Sequence, residues 1–488
     1  MTALSNSYAR LPEHFFARLD PLPVAHPRLI RINRPLAADL GLDLEGFDDD
    51  TLAAFFSGNR PLPGAEAIAT AYAGHQFGHF VPRLGDGRAH LLGEVRDRNG
   101  IRREIQLKGS GRTPFSRGGD GRAALGPVLR EYLLSESMHA LGVSTTRALA
   151  AVTSGEQVFR ETALPGAIVT RVAASHIRVG TFQYFAARED LEAIRRLADY
   201  VIDRLYPEAA SAERPYLALL HAVIGRQAAL VASWMQLGFI HGVMNTDNMA
   251  VSGETIDFGP CAFMDAYHPD TVFSSIDQNG RYAYSNQAPA AQWNLARFAE
   301  TLLPLIDPVS DKANELATEA VTSFSAVFAQ HWLRAMQRKL GLTATVTGAD
   351  RAGDQELVME LLQLMQLAEA DYTLTFRALC DDDNARLRTL LQGGNVDAWL
   401  ARWKARQASE PGQATDRASA MRQANPAFIP RNHRVEQVIT AAVERDDLSM
   451  FAEMLGVLSQ PYEDQAAHGS YTLPPRPEER VLRTFCGT

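Results

Sequence analysis

The chain has 488 residues, 46% of them hydrophobic and 22% charged, and a formal net charge of −9. That length suits two or three ordinary domains or one elaborated two-lobed enzyme, and the composition demands a packed core and excludes global disorder. The acidic balance argues against broad binding to nucleic acid or to anionic membranes, both of which need a basic face.

The N-terminal residues MTALSNSYARLPEHF contain no charged stretch followed by an apolar run, so no signal peptide is expected. No uninterrupted apolar stretch reaches membrane-spanning length. The three cysteines, Cys261, Cys380 and Cys486, are too few and too scattered for a disulfide scaffold or a zinc site. A reducing, cytoplasmic location is the expectation.

In chain order, residues 1–65 are rich in Pro and Leu, carry a short helical patch at 36–42, and read as an N-terminal wrap. Strand patterns at 89–95 and 103–107 flank Asp97-Arg98-Asn99-Gly100, an Asn-Gly hairpin signature. A glycine-rich loop, 109–126, comes next. A helical pattern then starts at Pro127, with Leu129, Leu133, Leu134 and Met138 on one face and Gly142 as its stop. These pieces make a small lobe over 66–188. From Asp190 the period turns helical, with Leu191, Ile194, Leu197, Val201 and Leu205 in one stripe. Residues 214–237 form a longer apolar helix closed by Gly238. Residues 249–251 and 254–256 read as two short strands around Ser252-Gly253, a hairpin that would carry Asn248 at one end and Asp257 at the other. Helical patterns from Trp293 to about Trp403 complete a larger lobe over 189–405. A polar stretch at 407–425 reads as a surface linker. Residues 435–458 are helical again, and a Pro-rich tail closes an extension over 406–488.

The chemistry concentrates in 241–259, H-G-V-M-N-T-D-N-M-A-V-S-G-E-T-I-D-F-G. Asn248 offers an amide oxygen and Asp257 a carboxylate, the two ligand types with which kinase-type phosphoryl transfer holds its metal ions. Five residues before Asn248, where small-molecule kinases carry a catalytic aspartate, this chain has Val243, which cannot accept a proton. Asp247 is the candidate replacement base; a capping or metal-shell aspartate is the other reading. Lys108 ends a strand and Glu131 sits in the first turns of the next helix, the pairing that orients ATP phosphates in kinase-type lobes.

Gly85-Asp86-Gly87-Arg88 is either a phosphate-facing turn or an ordinary one. Residues 109–122 carry five glycines and three arginines in fourteen positions. Arginine forks suit phosphate oxygens, and a solvated loop is the alternative. Arg171 and Arg178 are phosphate clamps or structural residues, with nothing in their spacing to choose. His176 and His241 read as structural. His75 and His79 have the i,i+4 spacing of metal ligands but no acidic helix motif around them, so zinc is not expected. Cys261, four residues past Asp257, and Cys486 in the tail are either a redox pair or two unrelated thiols.

Several stretches together resemble the selenoprotein O family, called YdiU in bacteria. They are AYAGHQFGHFVPRLGDGRAHLLGEV, EIQLKGSGRTPFSRGGDGRAALGPVLREYLLSESMHALGVSTTRAL, TRVAASHIRVGTFQYFA, GFIHGVMNTDNMAVSGETIDFGPCAFMD and the terminal FCGT. The resemblance implies an α+β, protein-kinase-like two-lobed fold with extensions at both ends. It implies transfer of AMP from ATP to Ser, Thr or Tyr hydroxyls of proteins, with release of pyrophosphate and with self-modification. ATP would lie inverted relative to ordinary kinases. Carried onto matching positions, Gly85, Gly87, Arg88, Lys108, Asp120, Gly121, Arg171, Arg178 and Asp257 bind nucleotide. Glu131 pairs with Lys108. Asn248 and Asp257 hold Mg²⁺, with Mn²⁺ as the alternative, and Asp247 accepts the proton. The family's redox pair would here be Cys261 with Cys486. A monomer without nucleic-acid or membrane partners is expected. A kinase using the γ-phosphate and an inactive nucleotide-binding scaffold are the competing readings.

Overall fold

Asp97 and Gly100 close the expected tight turn, with Gly100 N–H donating to Asp97 O at 2.8 Å. The strands that it joins, Ala89–Arg96 and Arg102–Lys108, pair antiparallel. In the computed structural model, which describes residues 2–342, 349–392, 395–409 and 414–485, they lie inside an eight-stranded sheet. From edge to edge the order is Phe16–Arg18, Ile68–Thr70, Ala89–Arg96, Arg102–Lys108, Ala163–Ala173, Arg147–Phe159 and Arg28–Ile32. The short strand Ala123–Ala124 adds to Ala163–Ala173. Every pairing in this sheet is antiparallel.

The first 65 residues do more than wrap. They supply both edge strands, so the backbone groups of the central strands meet partners from the same chain. Alternation along Arg102–Lys108 sends Ile105 and Leu107 to one face and Gln106 and Lys108 to the other. The first face is covered by the helix Asp49–Ser57. Asp48 caps it by accepting from Thr51 N–H at 2.8 Å, and Leu52 and Phe56 bury against Ile105, Leu107 and Ile168. The helix Leu125–Ala140 packs on the sheet through Leu129 and Leu133, which meet Ala148, Ala151 and Val169. From its far side the helices Asn432–Arg445 and Ser449–Leu458 close over it. The single helical run expected at 435–458 is therefore two, broken where Asp446 takes φ 52°.

The larger helical region centres on Pro215–Met235, which packs against Gln287–Ile306 and Ser310–Lys339. By length and composition alone Pro215–Met235 could cross a membrane; here Leu219, Leu220, Val223 and Val231 are buried in the main apolar cluster. The stripe on Leu191–Leu205 is buried at Ile194, Leu197, Val201 and Leu205. Leu191, the first helical residue, points outward.

Two local expectations fail for the same reason, non-local partners. Residues 249–256 form a turn closed by Gly253 N–H to Ala250 O at 3.1 Å, but its arms do not pair with each other. Met249 O and Val251 N–H bond Val179 and Ile177, while Thr255 bonds Ser144 and Thr146. The stretch expected as a linker over 407–425 begins in the helix Val396–Ala408 and ends in the helix Ala414–Ala424. Met421 anchors the latter in the cluster containing Leu340, Leu342 and Trp403.

Lys339 is 1% exposed, and its ammonium lies 4.3 Å from the Phe376 ring centroid. Burial pushes its pKa down to about 7 from 10.5. Between those values the unfolded chain holds a proton that the folded chain lacks, so raising the pH favours folding. Lys339→Met should therefore flatten stability against pH between 7 and 10, removing a slope of up to about 1.4 kcal/mol per pH unit. Urea unfolding of both proteins at each pH measures this, and parallel curves would refute it.

Candidate active site

The face of the sheet that carries Lys108 also carries Arg171, because Arg171 stands opposite Gln106 in the register of the neighbouring strand. The helix Leu125–Ala140 brings Glu131 over that face, and the loop after Thr255 brings Asp257. Lys108 Nζ lies 2.7 Å from Glu131 Oε2 and 2.9 Å from Asp257 Oδ1. Arg171 donates to the same two carboxylates, through Nε to Glu131 and through Nη2 to Asp257. Arg178 Nη1 stands 3.7 Å from Asp257 Oδ2. Burial alone would raise both acids. Arg171 and Lys108 outweigh it for Glu131, and with Arg178 they hold Asp257 well below the usual carboxylate range. Burial and the nearby Arg171 lower the Lys108 pKa, against the pull of Asp257 and Glu131. Asp257 occupies the left-handed region at φ 64°, where few residues other than glycine settle.

These groups form the floor of a cleft of about 650 Å³. All of the nucleotide and metal candidates from the sequence line it: Gly85, Gly87, Arg88, Lys108, Asp120, Gly121, Glu131, Arg171, Arg178, Asp247, Asn248 and Asp257. Seven cationic side chains and five carboxylates face this space. Val128, Val169 and Ala89 add an apolar wall.

The two glycine-rich loops fit each other closely. Gly85 has φ 76°, and a Cβ there would sit 2.3 Å from the Phe115 ring. Gly121 has φ 69°, and a Cβ there would sit 2.2 Å from the Gly111 backbone. The loop arginines divide in use. Arg122 donates to Leu22 O and Pro23 O at 3.0 and 2.9 Å, a structural task that also ties down the N-terminal segment. Arg117 lines the cleft. Asp120 accepts from Arg160 Nη1 at 2.8 Å.

Asp247 is buried, and burial pushes its carboxyl up to about 6 despite the nearby Arg178. Its Oδ2 accepts from Gln76 Nε2 at 3.2 Å, its Oδ1 has no hydrogen-bond partner, and its backbone O accepts from Arg178 Nη1 at 3.1 Å. Asn248 donates its amide nitrogen to Val243 O at 3.0 Å, so the amide nitrogen is held and the oxygen is the atom that could face a cation. Among the described residues no group of three or more His, Cys, Asp or Glu could hold a metal ion. Asn248 and Asp257 supply two hard oxygen donors. That fits a small divalent cation completed by phosphate oxygens and water better than an all-protein cage.

His241 is buried, stacks on Trp234 at 5.2 Å, and contacts Ile256 O at 2.9 Å through Nε2. His176 is buried against Glu104 at 2.8 Å. Both are structural. His75 and His79 fall on the two strands of a small hairpin, Gly74–Gln76 and His79–Val81, and His75 bonds Gln183 at 2.8 Å. Cys261 is buried; Cys486 lies outside the described residues. Sequence reasoning missed Gln76, Phe77, Asn245, Phe115 and Arg160 in the cleft lining. The GHQFGH stretch was a visible signal for the first two, hidden by its metal-like spacing. Nothing local marks Arg160, which lies in the turn between two long strands.

Comparison with known proteins agrees with this chemistry. The family described as "Protein adenylyltransferase SelO" matches residues 2–459. "Protein nucleotidyltransferase YdiU" of Rhizobium meliloti (strain 1021) is 62% identical over 496 residues, covering 100% of each chain. The protein of that name from Rhizobium rhizogenes (strain K84 / ATCC BAA-868) is 61% identical, over 99% of this chain and 96% of its own. The one from Bradyrhizobium sp. (strain BTAi1 / ATCC BAA-1182) is 61% identical, over 99% of this chain and 98% of its own. With a matching family over nearly its whole length and relatives of this similarity, the chain belongs to the SelO protein adenylyltransferase family and is a nucleotidyltransferase.

Proposed function

We propose that this chain transfers AMP from ATP to Ser, Thr or Tyr hydroxyls of proteins, itself included, and releases pyrophosphate. The observation that carries the reading is the content of one cleft: a cluster of cationic side chains, a buried Asp247, and an apolar Val243 where a kinase would hold its base. In this reading the acceptor oxygen attacks the α-phosphorus and its proton passes to the Asp247 carboxylate. The bond from that phosphorus to the bridging oxygen breaks, and pyrophosphate leaves with the electron pair. Arg88, Lys108, Arg171 and Arg178 neutralise the departing charge, with the loop residues Gly85, Gly87, Asp120 and Gly121 around the nucleotide. Asn248 and Asp257 would hold Mg²⁺ or Mn²⁺, which when bound shields phosphate charge. Positioning and electrostatics supply most of the rate in such transfers.

The proposal includes a kinase-like two-lobed arrangement. The small lobe spans 66–188, with its sheet edges completed from 1–65. A helical lobe spans 189–405, and an extension spans 406–488. The protein works as a cytoplasmic monomer in this reading, and a Cys261–Cys486 pair would be its redox control.

Incubation with ATP followed by intact-mass measurement should give a mass gain matching AMP. A gain matching phosphate would replace this reading with a kinase, and no gain on any protein would favour an inactive scaffold. Asp257→Ala should abolish the adduct while the chain stays folded. Glu131→Gln should weaken ATP binding and lower stability by about 3 kcal/mol, because it strips a partner from two buried cations. An unchanged denaturation midpoint would contradict that role for the cluster.

A further inference from the structure

The hairpin Gly74–Val81 touches the loop that carries Asp247 at three consecutive residues of that loop, Asn245, Thr246 and Asp247. His75 N–H donates to Thr246 Oγ1 at 2.7 Å, and Phe77 N–H donates to Asn245 Oδ1 at 3.0 Å. Gln76, between them, donates Nε2 to Asp247 Oδ2 at 3.2 Å. Gly74 lies directly under the same carboxylate: a Cβ there would sit 2.5 Å from Asp247 Oδ1 and 2.9 Å from its Cβ. Asn248 follows immediately. The hairpin is itself anchored, since His75 Nδ1 bonds Gln183 at 2.8 Å and Gln183 Oε1 accepts from Thr246 Oγ1 at 2.6 Å.

Asp247 is otherwise loosely held at its tip. Its Oδ1 has no partner, and Gln76 provides the one hydrogen bond from another side chain to this carboxylate among the described residues. An aspartate has two side-chain torsions. Gly74 blocks one side of the swing, and Gln76 sets the plane of the carboxylate on the other. Oδ1 is sealed against Gly74, so Oδ2 is the oxygen left to meet an acceptor hydroxyl, and it is the oxygen that Gln76 orients.

We propose that Gln76 is a positioning residue for AMP transfer, holding the Asp247 carboxylate in its working orientation while Gly74 keeps the space that the carboxylate needs. This rests on Asp247 being the proton acceptor of the proposed reaction. Gln76 acts through Asp247 and takes no part in the bonds made or broken. Its loss should act on kcat and spare nucleotide binding, which in the proposed reaction rests on Lys108, Arg171 and Arg178.

The test is a double-mutant cycle in the full chain, with AMP incorporation followed by intact mass and ATP binding followed by calorimetry. Gln76→Leu keeps the shape and removes the donor. It should lower kcat roughly tenfold or more, with KM for ATP and the ATP dissociation constant within about twofold of wild type. In an Asp247→Ala background, the residual transfer should not fall further. Gly74→Ala, which crowds the same carboxylate, should show the same split. A kcat for Gln76→Leu within about twofold of wild type, or an equal loss in the Asp247→Ala background, would overturn the assignment while leaving AMP transfer standing. Absence of AMP incorporation by the wild-type chain would take down both.

Discussion

Glu131 and Asp257 each touch both Lys108 and Arg171, so positive and negative charges alternate around a closed set of four. No one of them could be removed from water alone. The desolvation of a single buried ion costs several kcal/mol, and removing one partner strands the others. The set therefore forms only when two strands, the helix Leu125–Ala140 and the loop at Asp257 are all in place. It also explains why Asp257 tolerates φ 64°: two cations fix its carboxylate, and the backbone adapts to them. Arg178, 3.7 Å from Asp257, adds a positive charge that the four do not cancel. Arg178 also lies 3.9 Å from the buried Asp86, so the cluster continues into a further carboxylate on the cleft wall.

The neighbour of Glu131 extends the same coupling. Arg130 donates to Gly259 O at 3.0 Å and to Cys261 O, and lies 3.3 Å from Glu436 of the helix Asn432–Arg445. One helix thus shares the cations Lys108 and Arg171 with Asp257 and grips the segment just after it by its backbone. The C-terminal helices press that helix onto the sheet. Farther on, Thr484 bonds Phe273 and Ser275 through the backbone and Pro260 through its hydroxyl, so the tail also lies along this segment. The N-terminal strands close the two edges of the sheet, and Leu22 and Pro23 hold Arg122 of the glycine-rich loop. Both ends of the chain are structural parts of the cleft's surroundings.

Local chemistry made much of this legible. The Asn-Gly turn, the strand ending at Lys108, the helix with Glu131 and the pair Asn248 and Asp257 each follow from short-range rules, and Lys108, Glu131, Asn248 and Asp257 reach one cleft. What the sequence hid was set by distant partners. Gln76 and Asp247 stand 171 positions apart, and nothing near Gln76 announces an aspartate that needs orienting. The arms of the turn at 249–256 carry strand-like residues, yet their backbone groups found Ile177 and Ser144 first. The helix Ala414–Ala424 reads as polar because Met421 is its one buried side chain among the described residues. Arg122 was one of three loop arginines suited to phosphate, and only tertiary structure shows it spent on the carbonyls of Leu22 and Pro23.

Val243 is the remaining puzzle of the loop, and its contacts resolve it. The residue serves Asn248 through its backbone carbonyl, which any amino acid supplies, and its side chain is buried. His241, two residues earlier, holds the loop from within by its contact with Ile256 O. Loop geometry therefore places no demand on the side chain at 243, and an apolar one leaves the architecture intact. An aspartate there would add a further carboxylate to a cleft that already holds Asp247 and Asp257, raising the repulsion that each must bear. With valine in place, the acid nearest Asn248 in sequence is Asp247, and burial pushes its carboxyl up to about 6. The loop thus carries its buried acid at 247, four residues past Val243, on a position that the hairpin at Gly74 holds.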